Sequence, residues 1–173
     1  FARLGVNKLR ITGGEPLVRA GLDRLVRMRD RDGAFYLVSL TPDATVVDRE
    51  KNLAVNAGLL AVFARAAKQT GKRTLKEVAV GLGEALRRGF YVPQDSLFIA
   101  GWAGFDERVV AGETRAVFPG EGAAPRRDPS FYAGWNALAV SAFLDLHRVV
   151  GNDQYLRVGR RALAALRQRL LGP

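Results

Sequence analysis

The chain has 173 residues, 48% of them hydrophobic, enough to bury a core and too apolar for a disordered segment. It contains no cysteine, which excludes disulfides, thiolate nucleophiles, zinc–thiolate sites and cysteine-ligated iron–sulfur clusters within these residues. The net charge of +10 comes from arginines scattered from Arg3 to Arg169, with short doublets such as Arg87-Arg88 and no basic run interleaved with aromatics, a pattern that argues against a nucleic-acid partner.

In chain order, residues 6–12 alternate apolar and polar side chains as a half-buried strand does, and Gly13-Gly14 ends it. Pro16 suits a turn or first helical position, and Leu17, Val18, Leu22, Leu25 and Val26 supply an apolar stripe, so the unit reads as strand-loop-helix. Residues 32–38 form a turn leading into a short extended segment, broken again at Thr41-Pro42-Asp43.

Beyond this the chain turns helical and repeats itself at an offset of 80, where Asn56, Ala57, Phe63, Gly71, Val78, Ala85, Leu86 and Arg87 meet Asn136, Ala137, Phe143, Gly151, Val158, Ala165, Leu166 and Arg167. Leu59, Val62, Phe63 and Ala66 make one helical face, and Ala139, Ala142, Phe143 and Leu146 repeat it. Gly71 and Gly151 suit left-handed helix ends. Second helices follow, the first with Thr74 and Glu77 at capping-box spacing and the other with Asn152 or Asp153 as cap. Their inner faces are Leu75, Val78, Ala79, Leu82 and Leu86 in one copy, and Tyr155, Gly159, Ala162, Leu163, Leu166 and Leu170 in the other.

Between the copies, residues 89–135 lose helical periodicity. Phe90-Tyr91-Val92, Leu97-Phe98-Ile99 and Arg115-Ala116-Val117-Phe118 read as short strands pairing in a hairpin, and residues 120–129 as a polar linker. No apolar run approaches the ~20 residues that span a bilayer and no secretory signal opens the chain, so a cytoplasmic protein with no membrane partner is expected. With Phe1 first and Met28 the sole methionine, the sequence reads as a piece of a longer one.

The stretch Leu4-Gly5-Val6-Asn7-Lys8-Leu9-Arg10-Ile11-Thr12-Gly13-Gly14-Glu15-Pro16-Leu17-Val18-Arg19 resembles the second-strand region of radical S-adenosylmethionine enzymes, and is most similar to the cyclase of molybdenum-cofactor biosynthesis. That resemblance implies that Gly13, Gly14, Glu15 and Pro16 hold S-adenosylmethionine, Glu15 accepting from its ammonium group. The family also ligates an iron–sulfur cluster through three cysteines. This chain has none, so no cofactor is expected for it as it stands.

Asp32-Gly33-Ala34-Phe35-Tyr36, Asp48-Arg49-Glu50-Lys51-Asn52-Leu53 with Asn56-Ala57-Gly58-Leu59-Leu60, Gly89-Phe90-Tyr91 with Gln94-Asp95, and Arg126-Arg127-Asp128-Pro129 with Tyr132 and Trp135-Asn136-Ala137-Leu138 resemble, in order, a different family. Its members carry a thioredoxin-like domain followed by a six-hairpin toroid of paired helices, similar in architecture to N-acylglucosamine 2-epimerases and several glycosidases. The resemblance implies a mainly α fold: a partial α/α toroid of helical hairpins with a small β-hairpin insertion and the N-terminal strand-loop-helix. Residues 1–28 and 29–173 are the expected segments. Asp48 stands where the family usually has histidine, and the thioredoxin-like domain is absent.

Sugar hydrolysis needs two carboxylates across a cleft, for which Asp48, Glu50, Asp95 and Asp128 are the candidates, with helix capping or loop hydrogen bonding as the alternative role. Asn56, Gln94, Trp135 and Asn136 are the candidate contacts for a carbohydrate-like small molecule, and Trp102, Tyr36 and Tyr91 are either stacking surfaces or core. His147 is the only histidine and sits late in a helix beside Leu146 and Val149, a packed rather than catalytic setting. No metal site is expected.

Overall fold

The computed structural model describes residues 12–13, 15–16, 25, 27–37, 49–103, 106–110, 113–117 and 126–172. Four helices dominate: α1 (Leu53–Thr70), α2 (Arg73–Gly89), α3 (Ala133–Val150) and α4 (Asp153–Leu171). They form two hairpins, α1–α2 and α3–α4, at the 80-residue offset of the repeat. Gly71 and Gly151 close α1 and α3 with φ of 67° and 71°, each donating its N–H to the carbonyl four residues back. The left-handed conformation favours glycine at this position.

α1 packs most extensively on α3. The two helices run parallel, because the strands leading into them share one sheet: β3 (Lys51–Asn52), β6 (Gly101–Ala103) and β9 (Arg126–Asp128), in the order β3-β6-β9. Equivalent residues therefore meet at one level, as Arg65 and Asp145 do with Nε 2.7 Å from Oδ2. Phe143, Leu146, Leu60, Leu82 and Leu86 are fully buried between the hairpins, each contributing about 1.5–3 kcal/mol. Gly83 is forced at the hairpin contact, since a Cβ there would lie 2.4 Å from Leu146 Cδ2.

Strands β4 (Tyr91–Val92) and β5 (Leu97–Phe98) pair antiparallel, Tyr91 opposite Phe98, as the hairpin reading expected. The third strand of that reading, β8 (Glu113–Val117), instead pairs with β7 (Asp106–Val110). Residues 126–128, read as polar linker, are the outer strand of the β3-β6-β9 sheet. β1 (Thr12–Gly13) and β2 (Glu15–Pro16) pair around residue 14. The rest of the expected N-terminal strand, and most of the following helix, lie outside the described residues, although Leu25 and Arg27 are helical.

Two local expectations are corrected. Thr74 and Glu77 form no capping box: α2 begins two residues earlier, at Arg73, with Lys72 in the cap position and no side-chain cap. Glu77 pairs instead with Arg73 one turn before it. Asn152 does cap α4, accepting from the Gln154 N–H at 2.9 Å. Among the expected inner-face residues, Val62, Leu163 and Leu170 are 37%, 46% and 64% exposed. The heptad-like spacing identified the stripe but not which of its edges a neighbouring helix covers.

The repeat is anchored by two buried asparagines. Asn56 Oδ1 accepts from the Phe35 N–H at 2.7 Å, and its Nδ2 donates to the Phe35 and Asn52 carbonyls at 2.9 and 3.0 Å. Asn136 does the same to Phe98 at 2.7 and 2.8 Å, and to the Tyr132 carbonyl at 3.2 Å. Each gripped phenylalanine packs against the aromatic two turns along the gripping helix, Phe35 stacked on Phe63 with ring centroids 5.9 Å apart and Phe98 tilted by 42° against Phe143 at 5.2 Å. Replacing either asparagine by alanine leaves a buried peptide N–H and C=O without partners, so N56A and N136A are each expected to lose about 2–4 kcal/mol in urea unfolding. A loss under ~0.5 kcal/mol would mean that water or a shifted backbone replaces the clamp.

Candidate functional site

The helix starts of α1 and α3 and the ends of α2 and α4 lie at one end of the molecule, together with the β3-β6-β9 sheet. The sheet is tied to the helices through backbone bonds from Leu53 N–H to the Ala100 carbonyl and from Ala100 N–H to the Ser130 carbonyl, both 2.8 Å. Its register puts Lys51, Trp102 and Arg127 in one row and Asn52, Gly101 and Asp128 in the next, so side chains within a row share a face. Glycine at 101 lets the strands approach: a Cβ there would lie 2.0 Å from the Lys51 carbonyl oxygen.

Lys51 is the one buried cation among the described residues. Its ammonium donates to Asp30 Oδ2 and, at 2.6 Å, to Asp32 Oδ2, and lies 5.4 Å from the centre of the Tyr36 ring. The turn orients both carboxylates toward Lys51: Asp30 Oδ1 accepts from Arg31 N–H at 2.7 Å and the exposed Asp32 through Oδ1 from Ala34 N–H at 2.9 Å. Burial pushes the Asp30 carboxyl up, but the hydrogen bonds from Lys51, the Arg31 backbone and Tyr36 outweigh it and hold it below the usual range. Burial, reinforced by the hydrogen bond to Asp30, pushes Tyr36 up to about 12. The cluster joins two segments whose motifs the sequence showed separately, Asp32 to Tyr36 and Glu50-Lys51. Asp30 and the ion pairs carried no local signal, because the partners are 19 and 21 residues apart.

The other expected site residues fall into several settings. Asp48 and Gly14 lie outside the described residues. Glu50 is half-buried just before β3, its carbonyl accepting from Leu37 N–H at 2.8 Å. Asp95 pairs with Arg169 of α4 at 2.7 Å, tying its turn to the last helix, and Asp128 accepts from Ser130 N–H at 2.9 Å within its own loop. Gln94 is exposed in the turn between β4 and β5, and Gly13, Glu15 and Pro16 lie in the β1–β2 pair. Asn56 and Asn136 are fully buried with both amide hydrogens donated to the backbone, which leaves them no free donor for a ligand. Sequence sees a polar residue in a first helical turn but not the strand opposite it.

The aromatics divide likewise. Tyr91 packs on Phe98 with ring centroids 5.1 Å apart, whereas Tyr132, 48% exposed, lies 4.5 Å from the half-buried Trp135 at the start of α3. His147 sits in the last turn of α3 with Nδ1 3.1 Å from the Asn152 carbonyl, away from the sheet end.

Two solved structures share this arrangement of parallel inner helices backed by outer ones. The cellobiose 2-epimerase of Spirochaeta thermophila superposes with a TM-score of 0.61 at 18% identity, covering 83% of this chain and 34% of that one. A glycoside hydrolase family 76 mannosidase of Bacteroides thetaiotaomicron gives a TM-score of 0.55 at 11% identity, over 69% of this chain and 29% of that one. The fold is a partial α/α toroid.

In sequence, the chain is similar to GTP 3',8-cyclases: 33% identical over 105 residues to that of Campylobacter lari and 43% over 82 residues to that of Acidothermus cellulolyticus, or 56% and 47% of this chain. These stretches are longer than the 28 residues assigned above to the Gly-Gly-Glu-Pro segment. The chain spans 33% and 18% of those two relatives' lengths. No family model matches the sequence.

The iron–sulfur cluster implied by the cyclase likeness does not fit the residues present. The sequence has no cysteine, and among the described residues no three His, Cys, Asp or Glu side chains group as metal ligands. No helix among the described residues is long and apolar enough to cross a membrane.

The titrations give the toroid segment a pH signature. Asp30, held low, contributes stability above the ordinary carboxylate range and loses it as pH falls through its own lowered value. Tyr36 and Tyr155 are both raised to about 12, chiefly by burial and then by hydrogen bonds to Asp30 and Glu84. Their contribution is intact below the ordinary value of 10.0 and is lost as pH climbs from there to about 12. Circular-dichroism melts across that interval should show a falling Tm in the wild type and a flatter profile in the Tyr36→Phe, Tyr155→Phe double variant. Equal slopes would contradict the assignment.

Proposed function

We propose that the sheet end of the toroid segment binds a neutral, carbohydrate-like small molecule. The observation that carries this reading is the Tyr132–Trp135 pair: an exposed aromatic surface at the start of an inner helix, one short loop from Asp128. Such a surface suits the C–H face of a sugar ring, while nearby polar groups suit its hydroxyls. Two toroids of similar fold are a mannosidase and a cellobiose epimerase, which supports the ligand class. Catalysis is no part of the proposal, since Asp95 is paired with Arg169 of α4 and Asp128 is engaged in its own loop. In this reading the toroid piece belongs to a parent of the thioredoxin-fused type, joined at about residue 28 to a second segment.

Ligand-observed NMR over a panel of mono- and oligosaccharides should detect binding that Tyr132→Ala weakens about tenfold, given the 1–3 kcal/mol that aromatic stacking supplies. The exposed side chain makes the substitution mild for folding. A panel without a single binder, or equal affinity in the variant, would refute the proposal.

The sequence likeness to GTP 3',8-cyclases favours a second reading, in which the segment around Gly13, Gly14, Glu15 and Pro16 binds S-adenosylmethionine without cleaving it. Equilibrium dialysis should then show retention that Glu15→Gln abolishes, and no retention by the wild type would remove this reading.

A further inference from the structure

We propose that Arg169, in the last turn of α4, is a positioning residue of the Tyr132–Trp135 surface: it clamps the two loops beside that surface and so sets the direction in which Tyr132 points. This role rests on the carbohydrate reading for its ligand, whereas the geometry belongs to the free chain. A cation in a last helical turn commonly stays in water or meets the final carbonyls of its own helix. Arg169 reaches away from its helix instead. Its Nη2 donates to Asp95 Oδ1 at 2.7 Å, in the turn between β4 and β5, and its Cζ lies 5.3 Å from the centre of the Phe131 ring, in the loop between β9 and α3. One side chain therefore joins three elements. A guanidinium can do this because it donates in its plane and attracts an aromatic ring with its face, where a compact ammonium offers a point charge.

Both partners sit where being held has a consequence. The β4–β5 turn contains Ser96 with φ of 54°, the one non-glycine in the left-handed region among the described residues, a conformation that persists only where surrounding contacts hold it. The Asp95–Arg169 pair is such a contact. Phe131 is half-buried and packs against the core. The Tyr132 backbone is extended, with φ of −97° and ψ of 123°, and successive side chains of an extended segment point to opposite sides. With Phe131 turned inward under Arg169, Tyr132 is turned outward, 48% exposed and with its ring 4.5 Å from that of Trp135. Asn136 holds the Tyr132 carbonyl, which fixes one backbone atom but not the direction of either ring. Asp95, one of the carboxylates considered for hydrolysis, thus acts on the ligand surface through Arg169.

Nuclear Overhauser effects between the Tyr132 and Trp135 rings report the surface without any ligand. Arg169→Met keeps the stem and removes the charge. Because the side chain is 49% exposed, the variant should retain the wild-type circular-dichroism spectrum while losing most of the ring-to-ring signal. Asp95→Asn should weaken that signal by less, and should change nothing further in the Arg169→Met background, since the carboxylate acts through the guanidinium. Affinity for the tightest binder of the mono- and oligosaccharide panel should fall in parallel, about three- to tenfold in Arg169→Met. An unchanged ring-to-ring signal in Arg169→Met, additive effects of the two substitutions, or a sugar bound equally by wild type and Arg169→Met would overturn the proposal. If no sugar binds, the carbohydrate reading falls, while loss of the ring signal still upholds the positioning. Should Arg169→Met misfold, Asp95→Asn decides: a weakened ring signal supports the clamp and a signal equal to wild type overturns it.

Discussion

Everything at the sheet end depends on two carboxamides buried in the first turns of α1 and α3. A helix start leaves backbone donors unmet, and a two-residue strand has too few ladder bonds to hold itself. Asn56 and Asn136 address both problems, each gripping the N–H and carbonyl of one phenylalanine in the segment packed against the helix. The ring contacts behind them fix the direction of that segment. The Lys51 cluster follows from the first clamp, because the turn carrying Asp30 and Asp32 ends at the phenylalanine that Asn56 holds. Tyr132 and Trp135 inherit their position from the second.

What could be read from the sequence was whatever has a period or a steric requirement. The 3.6-residue stripe gave four helices, and the glycines at 71 and 151 gave two of their ends. The strands of the β3-β6-β9 sheet were illegible for the converse reason: Lys51–Asn52 and Gly101–Ala103 are too short to alternate, and exist because a partner strand lies alongside. The Thr74–Glu77 pair shows the limit of motif spacing, since moving the helix start by two residues to Arg73 removes the geometry on which the box depends.

Candidate ligand residues failed or survived on the same ground. A polar side chain in a first helical turn can face a cavity, a backbone or its own loop, and sequence does not distinguish them. Asn56 and Asn136 face backbone, Asp128 is held by its own loop, and Asp95 is held by Arg169 from the last helix. The Lys51 ion pairs join residues 19 and 21 apart, so they become visible only when the turn closes on β3. Tyr132 is the inverse case: its exposure is the informative feature, and exposure belongs to the fold rather than to residue type.

The two resemblances meet within one packed body. Fold similarity to the epimerase and the mannosidase rests on the helical hairpins, whereas the cyclase likeness lies in the sequence. A boundary near residue 28 separates the motifs that carry them. Packing does not respect it: Met28 is 2% exposed in the same core as Phe35, Phe63 and Leu82, and Leu25 packs against that core from the N-terminal side. The bridge between Arg29 and Phe35 and the bond from Tyr36 N–H to the Met28 carbonyl at 2.9 Å close the segment into a single turn. A cut at 28 would therefore remove a wall of the cluster around Lys51, so residue 28 marks no division between structural units in the fold.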